Sequence, residues 1–239
     1  MSDTTPVLVL EDVHAGYGDR PILSGVDLVI EPATVTTLIG ANGAGKSTLL
    51  KTVFGLTRLT RGTITFDGSD ITHLSPAGRI RAGICLVAQG RVNFAGMTVR
   101  ENLEMAAYLQ PARLLDARLH RVFELFPALR IMSRQLAGNL SGGEQQLLET
   151  GMALMGDPRL LLIDEPSLGL SAKMQHEVFS MMTRLRDTGT TVLMVEQNAV
   201  QALSIADRGV VMELGRVGAQ GSGAGMLEDP AVRRAYLGL

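Results

Sequence analysis

Two kinds of hydrophobic periodicity alternate along the chain and predict its secondary structure. Short apolar runs that are rich in β-branched side chains and end at Gly, Pro or an acid predict strands. Apolar residues spaced three or four apart predict amphipathic helices. The predicted strands are 7–13, 26–30, 35–39, 62–66, 84–87, 160–163 and 191–195. The predicted helices outside the middle of the chain are 47–54, 75–81, 172–186 and 199–205.

The middle of the chain has a different character, because strand signals disappear from residue 98 to residue 155 and the spacing becomes helical. After residue 160, strands and helices alternate again, which is typical of a parallel sheet with crossover helices. We therefore predict one α/β domain over residues 1–239. Its core comprises 7–90 and 156–239, and a helical subdomain is inserted at about 91–155.

Composition narrows the classes of protein that this pattern allows. Hydrophobic residues make up 46% of the 239 residues and charged residues 19%, which supplies a large core and argues against disorder. The net charge of -2 gives no overall basic field, so no nucleic-acid partner is expected. The single cysteine, Cys85, excludes an internal disulfide and fits a reducing compartment.

A membrane association, if there is one, is expected to depend on partner proteins. The stretch from Met1 to Pro6 is polar and has no charged-then-apolar signal pattern. The apolar runs of the chain are all shorter than the roughly 20 residues that a spanning helix needs.

A glycine-rich segment between a predicted strand and a predicted helix fits the pattern G-x-x-x-x-G-K-[ST]. Glycines let successive backbone N–H groups point at phosphate oxygens, and the helix N-terminus adds its positive dipole. Lys46 is expected to reach the β- and γ-phosphates, and the Ser47 hydroxyl to bind Mg²⁺. An ordinary glycine turn is the alternative. The predicted phosphate-binding residues are Gly40, Ala41, Asn42, Gly43, Ala44, Gly45, Lys46, Ser47 and Thr48.

Two acids follow the most apolar of the predicted strands, 160–163. A strand buried on both faces delivers such residues to the carboxyl edge of a parallel sheet, where ligands bind. Asp164 is a candidate Mg²⁺ ligand, directly or through water. Glu165 is the candidate general base for a water that attacks the γ-phosphate. A strand that ends in two solvated acids is the alternative.

The segment Leu140-Ser141-Gly142-Gly143-Glu144-Gln145-Gln146 resembles the signature motif of ABC ATPases, and it precedes the acidic strand as in that family. The resemblance extends over nearly the whole chain. It implies a P-loop NTPase fold of the ABC ATPase type, with a mainly parallel core sheet, an N-terminal antiparallel β part and an inserted helical subdomain. It also implies that Ser141, Gly142 and Gly143 complete the ATP site of a second subunit in trans. Ser141 as a helix N-cap is compatible with that role.

Other positions match the same family. The resemblance implies that Tyr17 stacks on adenine and that Gln89 senses the metal and the γ-phosphate. The stretch from Arg91 to Met97 is where the family meets its permease partner, so Phe94 and Met97 are expected to be partly exposed.

Two positions depart from the family pattern. Ser171 stands where an aspartate is usual, which weakens or alters an expected contact between subunits. Gln197 replaces the usual histidine at the γ-phosphate, and its amide donates a hydrogen bond but carries no charge. Catalysis that rests on Glu165 survives this change, so we expect an active site.

Three short segments narrow the resemblance further, to an ATPase subunit of bacterial branched-chain amino acid importers, or of related amide and urea importers. This resemblance implies a second ATPase, in a hetero- or homodimer, two transmembrane permeases and, indirectly, a periplasmic substrate-binding protein. It also implies a location at the cytoplasmic face of the inner membrane. The segments are 167–170, 195–198 and 232–238.

Other functions remain open at this stage. A soluble ABC protein of translation, repair or assembly often has two ATPase halves or long insertions, which this chain lacks. A small-molecule kinase has no use for residues 140–146. A nucleotide-binding subunit with poor turnover is the third alternative, suggested by Gln197 and Ser171.

Overall fold

The computed structural model describes residues 5–90, 92–108 and 110–237. Arg91, the first residue of the predicted permease-facing stretch, and Gly238, the last of the terminal motif, lie outside these residues. The strands are β1 (Leu8–Tyr17), β2 (Arg20–Ile30), β3 (Val35–Ile39), β4 (Arg58–Phe66), β5 (Ser69–Asp70), β6 (Ile84–Val87), β7 (Leu160–Asp164), β8 (Thr191–Val195), β9 (Arg208–Glu213) and β10 (Arg216–Ser222). The helices are α1 (Lys46–Phe54), α2 (Pro76–Ala82), α3 (Val99–Ala106), α4 (Leu115–Leu125), α5 (Pro127–Ile131), α6 (Gly142–Leu154), α7 (Ala172–Asp187), α8 (Ala199–Ile205), α9 (Gly223–Glu228) and α10 (Pro230–Val232).

The described strands form two sheets, as predicted. One is antiparallel with the order β2-β1-β4-β5, and it contains the N-terminal part of the chain. The other has the order β10-β9-β3-β8-β7-β6, in which all neighbours are parallel except β9 and β10. The carboxyl ends of β3, β6, β7 and β8 therefore lie at one edge, and the segments that carry residues 40–48, Gln89, Glu165 and Gln197 start there.

The parallel sheet is buried on both faces, which explains why its strands are continuous apolar runs rather than alternating ones. Along β7 the side chains of Leu161 and Ile163 pack with helices α6 and α7 in one core cluster. Leu160 and Leu162 point to the opposite face and pack with α1 and the antiparallel sheet in a second cluster. Polar substitutions on either face of β7 would therefore reach a core.

Most of the predicted elements are present, but β1, β2 and β4 are longer than predicted, and the sequence analysis does not predict β5, β9 or β10. Strand β1 continues through Gly16 to Tyr17, whereas the strand was predicted to end at Val13. A Cβ at Gly16 would lie 2.0 Å from the Arg20 carbonyl oxygen, so this glycine permits a close hairpin crossing rather than ending the strand. The strands at 208–222 were not predicted, because glycines interrupt the apolar pattern there.

Helical structure dominates the region between β6 and β7. Two of its helices, α3 and α6, begin with capping boxes, in which Thr98 and Ser141 are the respective N-caps. Within the described residues, none of the helices combines the length and the apolar character that a bilayer span requires. The division of the chain into core and inserted subdomain remains a prediction.

Candidate functional site

The glycine-rich loop begins where β3 ends, and its shape depends on Gly40 and Gly45. Gly40 has φ 148° and its missing Cβ would lie 2.2 Å from the Met212 carbonyl oxygen. Gly45 has φ 101° and forms the N-cap of α1. A side chain at Gly40 would collide with backbone, and one at Gly45 would be strained, so the loop requires glycine at both positions.

Lys46 is buried within the loop that it follows. Its Nζ donates hydrogen bonds to the carbonyl oxygens of Gly40 (2.8 Å) and Ala41 (3.0 Å). Burial lowers the pKa of Lys46, while the charges of Glu165 and Asp164 oppose this effect. Carbonyl oxygens of the loop therefore hold the ammonium group, and Lys46 lines the cleft described below.

Ser47 and Asp164 meet at the carboxyl edge of the parallel sheet. The Ser47 hydroxyl donates to Oδ1 of Asp164 at 2.8 Å. Asp164 is the last residue of β7 and is only 5% exposed. Both side chains offer hard oxygen atoms, which suits a divalent cation. Among the described residues, no group of three or more His, Cys, Asp or Glu side chains forms a separate metal cluster.

Glu165 is held in an unusual backbone conformation next to this pair. Its φ is 51°, and its N–H donates to the Val195 carbonyl oxygen at 2.9 Å. The left-handed conformation costs free energy for a residue with a side chain, and such strain is concentrated at functional sites. Gln89, in the loop after β6, donates to Oε2 of Glu165 at 3.2 Å. The two predicted catalytic side chains are therefore in contact.

Glu196 is a buried carboxylate that the sequence analysis did not single out. It accepts hydrogen bonds from the Ser167 N–H and hydroxyl, both at 2.9 Å, and from the Gln197 N–H at 3.1 Å. Burial raises the pKa of Glu196, and these hydrogen bonds act in the opposite direction. The residue connects the loop after Glu165 to the end of β8. An acid immediately after an apolar strand was the available signal.

These side chains surround one cleft of about 640 Å³. Predicted residues that line it include Tyr17, which is 44% exposed, and Gln197. The predicted residues Gly40, Ala41, Ala44 and Asp164 do not line the cleft. Arg20, Ile22 and Leu168 line the cleft but were not predicted. The full set is Tyr17, Arg20, Ile22, Asn42, Gly43, Gly45, Lys46, Ser47, Thr48, Gln89, Glu165, Leu168 and Gln197.

The signature segment does not line this cleft. Ser141 caps α6, accepting from the Glu144 N–H, and both Ser141 and Gly142 are exposed. A Cβ on Gly142 would meet nothing within 4 Å, whereas one on Gly143 would lie 2.7 Å from Met174. The N-terminus of α6 is thus open to solvent and available to a ligand from outside the chain.

The turn between β9 and β10 contacts both the glycine-rich loop and strand β2. The Gly215 N–H donates to the Ala44 carbonyl at 2.9 Å, and its carbonyl accepts from the Ser24 N–H at 2.9 Å. A Cβ at Gly215 would lie 1.8 Å from the Ile22 carbonyl oxygen, so the contact requires glycine. The unpredicted hairpin therefore fixes the loop against the antiparallel sheet.

The stretch after Gln89 is partly exposed, as expected. Phe94 is 50% exposed and Met97 is half-buried. Val92 is also exposed, at 53%. Ser171, the residue that replaces the usual aspartate, caps α7 through a hydrogen bond from the Met174 N–H. Its role within this chain is therefore that of a helix cap.

Comparisons with known proteins agree with this geometry. The chain is 43% identical to the high-affinity branched-chain amino acid transport ATP-binding protein BraG of Pseudomonas aeruginosa, over 97% of this chain and 100% of the relative. It is 38% identical to the probable branched-chain amino acid transport ATP-binding protein LivF of Archaeoglobus fulgidus, over 95% and 97%.

A solved ATP-binding cassette of an ABC transporter in its ADP conformation matches with a TM-score of 0.85, at 30% identity, over 99% of this chain and 100% of that one. The family model described as ABC transporter matches residues 23–168, which covers more than half of the chain. The glycine-rich loop, the acidic pair Asp164 and Glu165, and the capped helix α6 all lie within the matched residues. The chain belongs to the ABC transporter family.

Proposed function

We propose that this chain is the ATP-binding and ATP-hydrolysing subunit of an ABC importer for branched-chain amino acids. The two curated relatives carry that substrate in their names and align over almost their whole lengths. The observation that carries the enzymatic part is the convergence of Lys46, Ser47, Gln89 and Glu165 on one cleft. The substrate class rests on the relatives alone, because the ATPase does not touch the transported compound.

Nucleotide binding is assigned to the loop from Gly40 to Thr48 and to Tyr17. The tyrosine ring stands at the rim of the cleft and offers a π-face to adenine. The loop amides and the start of α1 bind the phosphates. Lys46 exchanges its two carbonyl partners for β- and γ-phosphate oxygens, which are stronger acceptors because they are charged.

The residues present fit a Mg²⁺ ion bound together with the nucleotide. Such ions use one or two protein ligands and take the remaining oxygens from phosphates and water. The Ser47 hydroxyl would bind the ion. The Asp164 carboxylate, which accepts a hydrogen bond from that hydroxyl, would hold the ion directly or through a water molecule. Gln89 is within reach of the same edge of the sheet. When bound, the ion neutralises charge that develops on the β- and γ-phosphate oxygens.

Hydrolysis is assigned to Glu165 as the general base. Gln89 donates a hydrogen bond to the Glu165 carboxylate and thereby orients it. We assign to Gln89 also the detection of bound γ-phosphate. Gln197 donates a hydrogen bond to the γ-phosphate from the end of β8 but transfers no proton. The strained backbone at Glu165 fixes the carboxylate, so little reorganisation is needed when the water attacks.

The site is completed by a second ATPase subunit, identical or different. The open N-terminus of α6 presents Ser141, Gly142 and Gly143 to nucleotide held by that subunit. Transmembrane permeases hold the pair at the cytoplasmic face of the inner membrane, and a periplasmic binding protein delivers substrate to them. The exposed Val92 and Phe94 favour this partner-bound role over a soluble ABC protein.

The test is ATP hydrolysis by the purified chain, alone and with partner ATPase and permease subunits, for the native chain and Glu165→Gln. Removal of a general base is expected to lower kcat by about 10²- to 10⁴-fold while nucleotide binding persists. The exposed Glu228 provides a matched control, because Glu228→Gln should not change the rate. An unchanged rate in Glu165→Gln refutes the assignment of the base. Binding without turnover in every mixture refutes the assignment as an active ATPase.

A further inference from the structure

The exposed loop 92–98, here called the docking loop, is fixed from below by a fully buried side chain. Asn102 in α3 accepts the Phe94 N–H at 2.7 Å and donates to the carbonyl oxygens of Phe94, Met97 and Thr98 at 2.9–3.3 Å. Because Asn102 satisfies so many backbone groups, the loop keeps one shape while its apolar side chains face outward.

A second buried side chain connects the docking loop to the helix that carries the signature motif. Glu149 in α6 is 5% exposed, and its Oε1 accepts the Val92 N–H at 3.0 Å and the Asn93 amide at 2.8 Å. A carboxylate is expensive to bury unless hydrogen bonds compensate. These two bonds are the compensation that the described residues provide, so displacing the loop from α6 would leave a buried charge less well solvated.

A backbone connection runs in parallel with the Glu149 contact. The Gly138 N–H donates to the Ala95 carbonyl at 3.0 Å, and the Ala137 N–H to the Met97 carbonyl at 2.9 Å. Gln145 in α6 donates to the carbonyl oxygens of Ala137 and Leu140 at 3.4 and 3.1 Å. The docking loop is thus tied to both the approach to the signature and the helix that follows it.

We propose that Glu149 is a positioning residue that makes the docking loop and α6 move as one body. Residue 149 lies two helical turns beyond Ser141, about 12 Å along the axis of a rigid helix. When a permease displaces Val92 or Phe94, Ser141 therefore moves with them. When nucleotide binds to Ser141, the docking loop moves with α6. This inference rests on the proposed function, since it needs the signature to engage nucleotide in trans.

The experiment measures amide hydrogen exchange of the full chain that carries Glu165→Gln, with and without MgATP. The protein is studied as the homodimer, or as the heterodimer with its partner ATPase subunit. Two peptides are compared, one covering the docking loop and one covering residues 141–145. Glu149→Ala removes both bonds to the loop, and Glu149→Gln keeps a carbonyl acceptor at the same place. Asn93→Ala removes one bond while leaving the carboxylate in position. The exposed Glu228→Ala is the surface control.

We expect MgATP to slow exchange in both peptides of the parent, of Glu149→Gln and of Glu228→Ala. In Glu149→Ala the slowing persists at 141–145 and is clearly reduced in the docking loop, where the parallel backbone bonds remain. In Asn93→Ala the reduction there is smaller. A merely structural role would instead raise loop exchange equally with and without nucleotide, which overturns the inference. An undiminished nucleotide response of the loop in Glu149→Ala also overturns it. Absence of slowing at 141–145 in the parent contradicts the proposed sandwich itself, and with it the inference.

Discussion

The Ser47 hydroxyl lies 2.8 Å from Oδ1 of Asp164, although 117 positions separate the two residues in the chain. Ser47 is in the first turn of α1, which follows β3, and Asp164 ends β7. In the sheet both strands flank β8 and run parallel to it, so their carboxyl ends lie at the same edge, one on each side of β8. This contact places a hydroxyl and a carboxylate at the edge where phosphates and a cation are proposed to bind.

The first prediction concerns this pair. Ser47→Ala removes one hydroxyl ligand and leaves the buried Asp164 carboxylate without its donor. We expect the Mg²⁺ concentration for half-maximal ATP hydrolysis to rise by about 10- to 100-fold, the range seen when a group that orients a metal ligand is lost. The measurement is a Mg²⁺ titration of ATPase activity at saturating ATP. An exposed serine in α7, Ser180→Ala, is the control, and an equal Mg²⁺ requirement in Ser47→Ala would contradict the assignment.

The second prediction concerns the amide at position 197. A glutamine has no charge to lose, so it contributes no pH dependence to hydrolysis by the native chain. Gln197→His introduces a group that becomes cationic below about pH 6.5 and then donates a charged hydrogen bond to the γ-phosphate. The ratio of kcat for Gln197→His to kcat for the native chain is therefore expected to rise as pH falls through this value. A constant ratio, like that expected for the exposed control Gln220→His, would show that residue 197 does not contact the reacting phosphate.

The third prediction follows from the raised pKa of Glu196, whose ordinary value is 4.5 and whose shift is caused chiefly by burial. A raised pKa in the folded state means that the folded chain retains this proton to higher pH than the unfolded chain. The contribution of Glu196 to stability is therefore greatest below about pH 4.5 and declines as pH rises through the folded pKa. Glu196→Gln has no such dependence.

Urea unfolding of both proteins at a series of pH values measures this effect. The free energy of unfolding of the native chain, taken relative to Glu196→Gln, is expected to fall from pH 4 towards pH 7. A difference that stays constant over this window would mean that the Glu196 carboxyl titrates normally in the folded state.

The fourth prediction concerns Arg79, a fully buried cation with no carboxylate partner among the described residues. Its guanidinium donates to five carbonyl oxygens, which belong to Thr52, Val53, Ile71, Thr72 and Leu74. Burial lowers the pKa of Arg79, but the last carbonyls of α1 compensate the charge through the helix dipole. The side chain thus joins the end of α1 to α2.

Arg79→Met leaves these carbonyls without donors, so the free energy of unfolding should fall by about 3 kcal/mol. Arg81→Met is the matched control, because Arg81 is in the same helix and exposed, and its effect should stay within about 0.5 kcal/mol. Equal effects of the two substitutions in denaturant unfolding would show that the buried carbonyl contacts contribute little.

The sequence predicted the parallel sheet because its strands must be apolar on both faces, and residues such as Leu161 and Leu162 show this directly. It predicted the glycine-rich loop, since only glycine and the following Lys46-Ser47 satisfy that backbone shape and that chemistry. The hairpin 208–222 was missed because glycines interrupt its apolar pattern. One of them, Gly215, is required by a close contact with the Ile22 carbonyl oxygen, which the sequence does not show. A local sequence pattern shows that a position requires glycine, but it does not show which distant residue lies against that glycine.

By itself, the sequence determined most of the elements, the family resemblance and the identity of the residues that the chemistry requires, because these depend on local spacing and residue type. Only the tertiary structure decided which of them meet. Three side-chain contacts join segments that lie far apart in the chain: Gln89 with Glu165, Ser167 with Glu196, and Asn93 with Glu149. Strand order and helix packing set these distances, and neither is encoded in any one segment.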